Sequence, residues 1–290
     1  MEKMTIKDSL CGVIVLYNPD ENVIGNIASY NDNLGRLYVI DNSEIPNYEL
    51  TTLIKLNAKV SYYSFTDNLG IAKALNIACD MARKDGFCYI LTMDQDSKFV
   101  GADFFELVNK NLEPEIGIYA ASFTNEYDRW VKTYNNEFDE IHFVITSGNI
   151  VNLAAWAQVH GFEEKLFIDE VDHDFCVKLR LNGYKVLTSK RVLLNHKIGI
   201  DIKIGRPIQT HAPIRHYYMT RNILFIIKKY ILTDFTLAFN RFIVLLKSVR
   251  HVIIYYPEKS KYFKYISLGF FHFFMCKFGK LKQQNKTIKI

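Results

Sequence analysis

The sequence predicts an α/β protein with a mostly parallel, twisted sheet and flanking helices, followed by a helical, amphipathic C-terminal region. Two observations lead to this fold class. From residue 11 to about residue 120, short apolar runs alternate with stretches of helical spacing, which is the pattern of a doubly wound parallel sheet. Beyond residue 215 the spacing is helical only. A chain of 290 residues, 49% of them hydrophobic, can bury one large core or two modest ones.

The first four strands are predicted where apolar runs stop at polar residues. They are residues 12–17, 36–40, 60–65 and 87–93. Between the last two, a helix is predicted over residues 71–84, because apolar residues recur there at helical spacing. All of these strands except the first end close to Asp or Asn, so polar groups are expected along one edge of the sheet.

Residues 121–200 combine both patterns. A strand is predicted at 141–145 and a helix from about residue 153. A second helix is expected to open within residues 165–174 and to run to residue 181, where Asn182-Gly183 closes it. A last strand is expected at 185–188, with a further apolar run at 192–195.

Charge is distributed unevenly along the chain. Residues 1–200 carry 19 Lys/Arg and 28 Asp/Glu, a net charge of −9, whereas residues 201–290 carry 17 Lys/Arg and 3 Asp/Glu, a net charge of +14. A basic, aromatic tail predicts an anionic partner. The sequence therefore predicts two domains, residues 1–215 and residues 216–290.

The tail is predicted to form interfacial helices. Over residues 235–256, the basic side chains Arg241, Lys247, Arg250 and His251 share one half of a helical wheel, and Phe242, Leu245, Leu246, Val249 and Val252 share the other. The longest uncharged stretch of the tail, residues 265–276, is shorter than the roughly 18–20 apolar residues that a membrane span needs. Interfacial amphipathic helices are the first interpretation, and an ordinary helical subdomain with a solvated basic face is the alternative.

Two further features concern the cellular compartment. The five cysteines are far apart and in apolar contexts, which predicts reduced core cysteines in a cytosolic protein rather than disulfides or a zinc site. Residues 1–8 are polar, so no signal peptide is expected.

Asp94 and Asp96 end the apolar run at residues 89–93 and are the strongest candidates for chemistry. Two carboxylates one residue apart, at the carboxyl edge of an α/β sheet, suit Mg²⁺ or Mn²⁺, which in turn can hold a diphosphate. A plain Asp-rich turn is the alternative. A phosphotransferase of the haloacid dehalogenase type is disfavoured, because it needs Thr or Val where Lys98 stands and has its motif on the first strand.

Several local motifs occur together in order. They are Val15-Leu16-Tyr17-Asn18-Pro19, Val39-Ile40-Asp41-Asn42-Ser43, residues 68–76, residues 91–97, Ser147-Gly148-Asn149, residues 167–184 and residues 217–222. With these motifs the chain resembles family 2 glycosyltransferases of the GT-A fold, and most of all the bacterial rhamnosyltransferase branch that builds surface polysaccharides. The resemblance covers residues 11–222.

The resemblance implies an inverting glycosyltransferase. The first expectation is transfer of L-rhamnose from dTDP-rhamnose to a lipid-linked or polysaccharide acceptor in cell-surface polysaccharide synthesis. UDP-galactofuranose, UDP-glucose and UDP-galactose are the alternative donors. The acceptor oxygen would attack the anomeric carbon opposite the nucleotide in a single displacement.

The resemblance also assigns donor and metal residues. Asp41 would accept a hydrogen bond from the pyrimidine of the donor, which suits an acceptor-only side chain; a turn Asp is the alternative. Asp96 would bind the metal, Asp94 would lie nearer the ribose or a metal-bound water, and His196 would close the metal site, unless it is a structural histidine. The implied donor-binding residues are Tyr17, Asn18, Pro19, Asp41, Asn68, Gly70, Lys73, Asp94, Gly148 and Asn149.

Asp172 is the implied general base. Its acidic neighbours Asp169, Glu170 and Asp174 are expected to raise its affinity for a proton by like-charge repulsion. Acids that complement a helix N-terminus are the alternative, and which acid among residues 169–174 is the base stays open. Asp169, Glu170, Arg180 and Arg221 are candidates for contacting the acceptor or the diphosphate. Relatives tend to have Arg where Lys178 stands, so this contact could have moved to Arg180.

The basic tail implies a peripheral protein on the cytoplasmic face of the cell membrane. An anionic membrane surface is the expected partner. A module that binds nucleic acid is the rival interpretation, but the phenylalanines at 270, 271, 273 and 274 are clustered rather than interleaved with cations, unlike a platform for stacking bases. No nucleic-acid partner is therefore expected.

Overall fold

A computed structural model describes residues 6–101, 103–124, 137–196, 200–204 and 206–282. Within these residues the chain forms two compact units. The sheet unit contains the chain up to Glu163 together with Val171–Thr210, and the helical unit contains Glu164–Glu170 together with the chain from His211 onward. Compactness does not test independent folding, so the division into domains at residue 215 stays a prediction.

The sheet unit opens with a parallel βα pattern, as the sequence predicts. A short helix α1 (Ile6–Ser9) precedes strand β1 (Leu10–Leu16), which is followed by α2 (Asn22–Ala28), β2 (Leu37–Asp41), α3 (Tyr48–Lys55), β3 (Val60–Ser64), α4 (Ile71–Lys84) and β4 (Tyr89–Asp94). Strands β1 to β4 are mutually parallel in the order β3-β2-β1-β4. The bounds of α4 are those predicted from its apolar spacing.

The second half of the sheet is mixed. Strand β5 (Ser97–Phe99) and helix α5 (Asp103–Lys110) lead to β6 (Ile116–Thr124), β7 (Phe138–Glu140), β8 (Asn149–Asn152), α6 (Leu153–Gln158), α7 (Val171–Leu181) and β9 (Lys185–His196). The order continues β4-β8-β6-β9-β5, with β7 on β9. Strand β8 is antiparallel to both β4 and β6, whereas β6 and β9 are parallel. A hairpin of β10 (Ile200–Ile204) and β11 (Arg206–Thr210) follows.

Two predictions about local structure are corrected, and a third, the helix over residues 171–181, is confirmed. Instead of a strand at 141–145, the structure has β7 just before these residues. Within 141–145, the carbonyl of Ile145 accepts from a side chain, Asn149 Nδ2, at 2.6 Å rather than from a neighbouring strand. The predicted helix start within 165–174 falls at Val171, since Phe167, Asp169 and Glu170 have positive φ angles. Residues 185–195 form one strand rather than two segments.

The cysteine prediction is correct in part. Cys11, Cys79 and Cys176 are buried, and burial raises the pKa of each thiol. Cys88 and Cys276 are exposed, so they are not core residues. All five are free thiols.

The helical unit consists of α8 (Pro213–Tyr230), α9 (Phe235–Tyr255) and α10 (Lys259–Phe274). In the described part of the chain, none of the helices has the length and apolar character of a membrane span. The predicted wheel of α9 is partly wrong, since Arg241 on its basic half is 17% exposed and lies 3.3 Å from Glu170. On its apolar half, Leu245 and Val252 are buried, but Phe242 and Leu246 are exposed.

Candidate active site

Three strands end together at the carboxyl edge of the sheet. The register pairs Leu16 of β1 with Asp41 of β2, and Val15 of β1 with Asp94 of β4. Because the strands are parallel, Asp41 and Asp94 lie at nearly the same level on either side of β1. The predicted gathering of polar groups at this edge is present.

Asp41 is almost fully buried and held in one orientation. Its Oδ1 accepts from the backbone N–H of Ser43 at 2.8 Å, and its Oδ2 accepts from Tyr62 Oη at 2.5 Å. Burial and this hydrogen bond raise the pKa of Tyr62 to about 12, so the phenol remains a donor. Ser43 Oγ accepts from the N–H of Asn18 at 2.8 Å, which brings the predicted Tyr17-Asn18-Pro19 loop beside Asp41.

Gln95, between the two aspartates, connects β4 to the same loop. Its side chain accepts from the N–H of Tyr17 at 2.8 Å and donates to the carbonyl of Tyr17 at 3.2 Å. Its own carbonyl accepts from Asn26 Nδ2 at 2.8 Å. A polar cavity of about 240 Å³ lies here, lined by Pro19, Asp20, Asn22, Val23, Asn26, Gln95, Asp96, Lys98 and Asn195. Sequence reasoning gave no role to Gln95, although it lies between the two predicted ligands.

The predicted nucleotide loop before α4 is well ordered by its own hydrogen bonds. Asn68 Oδ1 accepts from the N–H of Gly70 at 2.9 Å, and Asn42 Nδ2 donates to the Gly70 carbonyl at 3.3 Å. Gly70 has a φ of 81°, which favours glycine. Lys73, in the first turn of α4, is exposed. Asn42 thus connects this loop to the residue that follows Asp41.

The donor set at Asp94 and Asp96 fits a hard cation. Among the described residues, no group of three or more His, Cys, Asp or Glu side chains converges on one point. Mg²⁺, however, is commonly bound by one or two carboxylates and completed by substrate phosphates. His196 pairs with Ser97 across β5 and β9, which places its backbone opposite the residue after Asp96; its side chain lies outside the described part.

Asp172 lies in the first turn of α7 and faces a second cavity, of about 400 Å³. The cavity is lined by Ala121, Ser122, Ile141, Phe143, Val144, Ile145, Asn149, Asp172, His173 and Thr188. Asp172 is 24% exposed, and its Oδ1 accepts from the backbone N–H of His173 at 2.8 Å and lies 3.1 Å from His173 Nδ1. Phe143 packs on the imidazole at 5.2 Å between ring centroids.

The expected rise in the pKa of Asp172 is wrong. Burial alone would raise it, but the hydrogen bonds and the charge of His173 outweigh burial and hold the pKa below its ordinary value. All three neighbouring acids have cationic partners of their own. Asp169 pairs with Arg215 at 2.9 Å, Glu170 with Arg241 at 3.3 Å and Asp174 with Lys178 at 3.8 Å. Asp172 is therefore a carboxylate at neutral pH. The sequence analysis gave no role to His173, although its position next to Asp172 in the chain could have indicated one.

The Ser147-Gly148-Asn149 motif reaches this cavity through Asn149. Gly148 has a φ of 78°, and a Cβ there would lie 2.8 Å from Leu194, so only glycine fits. Ser147 Oγ accepts from the N–H of Asp94 at 3.0 Å, which links the two ends of the site. Asn149 lines the cavity and is buried, and its Oδ1 accepts no hydrogen bond from the described residues.

The four predicted acceptor residues lie in different places. Arg180, in the sheet unit, has its guanidinium 5.7 Å from the ring of Phe143, which lines the cavity of Asp172. In the helical unit, Asp169 and Glu170 form the ion pairs described above. Arg221 there is fully buried and donates to the carbonyls of Gly279 at 2.7 Å and Leu166 at 3.1 Å. These contacts give the three residues of the helical unit a structural role, and their acceptor roles stay predictions.

An α/β sheet that gathers aspartates at its carboxyl edge, beside a cavity with its own carboxylate, has the architecture of a glycosyltransferase. The model of the family described as "Glycosyl transferase family 2" matches residues 13–187, more than half of the chain, and the chain belongs to this family. The dTDP-rhamnosyl transferase RfbF of Shigella flexneri is 27% identical, with 77% of this chain and 81% of the relative aligned. The predicted family and its rhamnosyltransferase-like branch are thereby confirmed.

Solved structures show the same fold at low sequence identity. Residues 1–349 of S. aureus TarS match with a TM-score of 0.60 at 14% identity, over 91% of this chain and 80% of that one. The same TarS segment in complex with UDP-GlcNAc matches with a TM-score of 0.59 at 13% identity, over 89% and 79%. GalNAc-T7 with UDP, GalNAc and Mn²⁺ matches with a TM-score of 0.56 at 12% identity, over 68% of this chain, which spans 44% of the GalNAc-T7 chain.

Proposed function

We propose that this glycosyltransferase moves L-rhamnose from dTDP-rhamnose to a hydroxyl of a lipid-linked or polysaccharide acceptor, with inversion at the anomeric carbon. The observation that carries the proposal is the cavity beside Asp172, in which an apolar wall faces a small set of polar groups. The Shigella flexneri relative, named for dTDP-rhamnose, supports the choice of sugar.

The lining of the cavity suits a 6-deoxy sugar. Ile141, Phe143, Val144 and Ile145 provide apolar surface, while Asn149 and Asp172 provide hydrogen-bond acceptors. Rhamnose has a methyl group where glucose and galactose have a hydroxymethyl group. A methyl group packed against an apolar wall loses no hydrogen bond, whereas burying a hydroxyl without a hydrogen-bond partner costs about 1–3 kcal/mol.

The chemistry is a single displacement that uses Asp172 as the base. The proton leaves the acceptor hydroxyl for Asp172 as the acceptor oxygen forms a bond to the anomeric carbon and the bond to the diphosphate breaks. Because the pKa of Asp172 is held below its ordinary value, the group is ionised at neutral pH and can accept a proton. His173 holds one carboxylate oxygen, Oδ1.

The donor nucleotide would bind along the carboxyl edge of the sheet. Asp41, fixed by Ser43 and Tyr62, has acceptor lone pairs for a pyrimidine N–H. Asp94 and Asp96 would hold Mg²⁺ or Mn²⁺, which when bound neutralises charge on the leaving diphosphate. The GalNAc-T7 structure contains Mn²⁺ and UDP and supports this use of a metal.

A thermal-shift panel of donors tests the proposal. The chain is heated with dTDP-rhamnose, UDP-glucose, UDP-galactose, UDP-galactofuranose or UDP-GlcNAc, each with Mn²⁺ or with EDTA. A ligand that binds the native state at about 100 times its Kd stabilises it by about 2.7 kcal/mol, which is easily detected. We expect the largest shift with dTDP-rhamnose and Mn²⁺. A larger shift with a UDP-sugar would overturn the choice of donor. An equal shift in EDTA would overturn the proposed role of a metal in donor binding.

A further inference from the structure

The helical unit exposes a continuous apolar surface, here named the apolar stripe. It consists of Ile231, Leu232, Phe235, Phe239, Phe242, Leu246 and Ile253. Leu232, in the turn between α8 and α9, is 96% exposed, and Phe235 at the start of α9 is 66% exposed. The five members on α9 recur every three, four or seven residues, so they fall within an arc of about 60° on one face of the helix.

The stripe is not part of the packing of the helical unit. Leu237, Ala238, Leu245 and Val252 form the buried face of α9. The stripe residues are between 43% and 96% exposed. A contiguous exposed apolar surface of this length is unusual for a protein with no partner and marks an interaction site.

Cations flank the stripe. Lys228 and Lys229 precede the turn, and Lys247 and Arg250 lie exposed on α9 beside Leu246. Residues 211–282 contain 13 Lys/Arg and only 2 Asp/Glu. The surface therefore combines exposed apolar side chains, whose burial is favourable, with positive charges that attract an anionic partner.

We infer that the apolar stripe inserts into the headgroup region of an anionic phospholipid membrane. Such a membrane provides both interactions, since the stripe would contact the acyl chains and the flanking cations would contact the lipid phosphates. A second copy of the chain would satisfy the stripe but would bring two strongly positive units together. A nucleic acid would satisfy the cations but would leave Ile231, Leu232 and Leu246 against polar phosphate.

Flotation with vesicles of phosphatidylcholine alone, or with phosphatidylglycerol added, tests this inference on the full chain. Two double variants address the two features: Leu232→Ser with Phe239→Ser removes apolar area, and Lys247→Gln with Arg250→Gln removes two cations. The matched controls are in the sheet unit. Leu53→Ser with Leu56→Ser removes side chains that are 49% and 77% exposed, and Lys84→Gln with Lys110→Gln makes the same change in net charge.

We expect binding to the anionic vesicles that weakens between low and high salt, because screening shortens the reach of the charges. The stripe variant should bind at least about 10-fold more weakly, and the cation variant about 30-fold more weakly at low salt. Both controls should remain within about twofold of the parent chain. Since the cation variant changes exposed side chains only, it keeps the test decisive even if the stripe variant folds poorly.

Three results would overturn the inference. The first is equal binding to both kinds of vesicle, or binding to neither. The second is a dimer, detected by light scattering, that the stripe variant converts to a monomer without loss of vesicle binding. The third is binding of a single-stranded oligonucleotide with loss of vesicle binding in its presence. Donor binding is measured separately by thermal shift, so failure here leaves the transferase assignment intact.

Discussion

The sheet unit and the helical unit use buried polar side chains differently. In the sheet unit, Asp172 and Asn149 line a cavity, and Asp41 is fixed at the edge of the sheet. In the helical unit, Arg221 and Asn222 are fully buried, and they bind backbone carbonyls of Leu166 and its neighbours. In the first unit these polar groups border a cavity or the edge of the sheet, and in the second they hold a loop in place.

The boundary between these two uses lies within one acidic motif. Asp169 and Glu170 belong to the helical unit and are paired with arginines, whereas Asp172 belongs to the sheet unit and opens α7. These three acids, which look interchangeable in sequence, therefore lie in different surroundings. The positive φ angles of Asp169 and Glu170 separate them from the helix that follows.

The largest difference expected between the two units is in catalysis. Asp172→Asn preserves shape and removes basicity, so kcat should fall by roughly 10²–10⁴ while the affinity for the donor changes little. Asp80→Asn, on the exposed face of α4, is the matched control and should leave kcat unchanged. Initial rates and donor titrations provide both quantities.

The same assays apply to the two paired acids of the helical unit. Asp169→Asn and Glu170→Gln each remove one partner of an ion pair in the helical unit and should lower stability with little change in kcat. If either one were as damaging to kcat as Asp172→Asn in a folded protein, the base would lie one turn earlier.

Acid should affect the two units unequally. His216 in the helical unit is 3% exposed; its ring packs edge-to-face against Tyr256 and Tyr262, and its Nδ1 lies 3.5 Å from Ser248 Oγ. Burial, followed by the charges of His211 and Arg215, lowers its pKa from 6.5 to about 4. The folded state thus binds fewer protons than the unfolded state between these values, so stability is complete above pH 6.5 and is lost as the pH falls toward 4.

A difference of about 2.5 pH units corresponds to about 3 kcal/mol of stability lost by the helical unit. Asp172 in the sheet unit has a lowered pKa, so its contribution to stability persists until the pH falls below the ordinary range of an aspartate. Hydrogen exchange by mass spectrometry from pH 7 to pH 4 should show α8 to α10 opening first. His216→Phe should flatten the profile, and an unchanged slope in that variant would assign the acid sensitivity to other groups.

The sequence predicted the parts of this molecule that depend on short-range pattern. The apolar spacing of α4 gave its bounds, and Asp-x-Asp at the end of β4 gave the candidate metal ligands. Long-range contacts could not be predicted. The pairing of Glu170 with Arg241, about 70 residues away, removed a cation from the face of α9 that was expected to be solvated. Likewise, the low pKa of Asp172 depends on how the imidazole of His173 is turned, which no pattern encodes.

The smallest expected change is in stability, and removing one helix cap in each unit tests whether the two units unfold separately. Asn47 caps α3 in the sheet unit by accepting from the N–H of Leu50 at 3.1 Å, and Asp234 caps α9 in the helical unit by accepting from the N–H of Leu237 at 2.9 Å. Replacing either with Ala removes one capping bond and costs about 1 kcal/mol. If the units unfold independently, Asn47→Ala lowers only the midpoint of the sheet unit and Asp234→Ala only that of the helical unit, as residue-resolved hydrogen exchange in urea would report. If each variant shifts both midpoints equally, the chain unfolds as one cooperative body, and the difference between the units is one of chemistry rather than of folding.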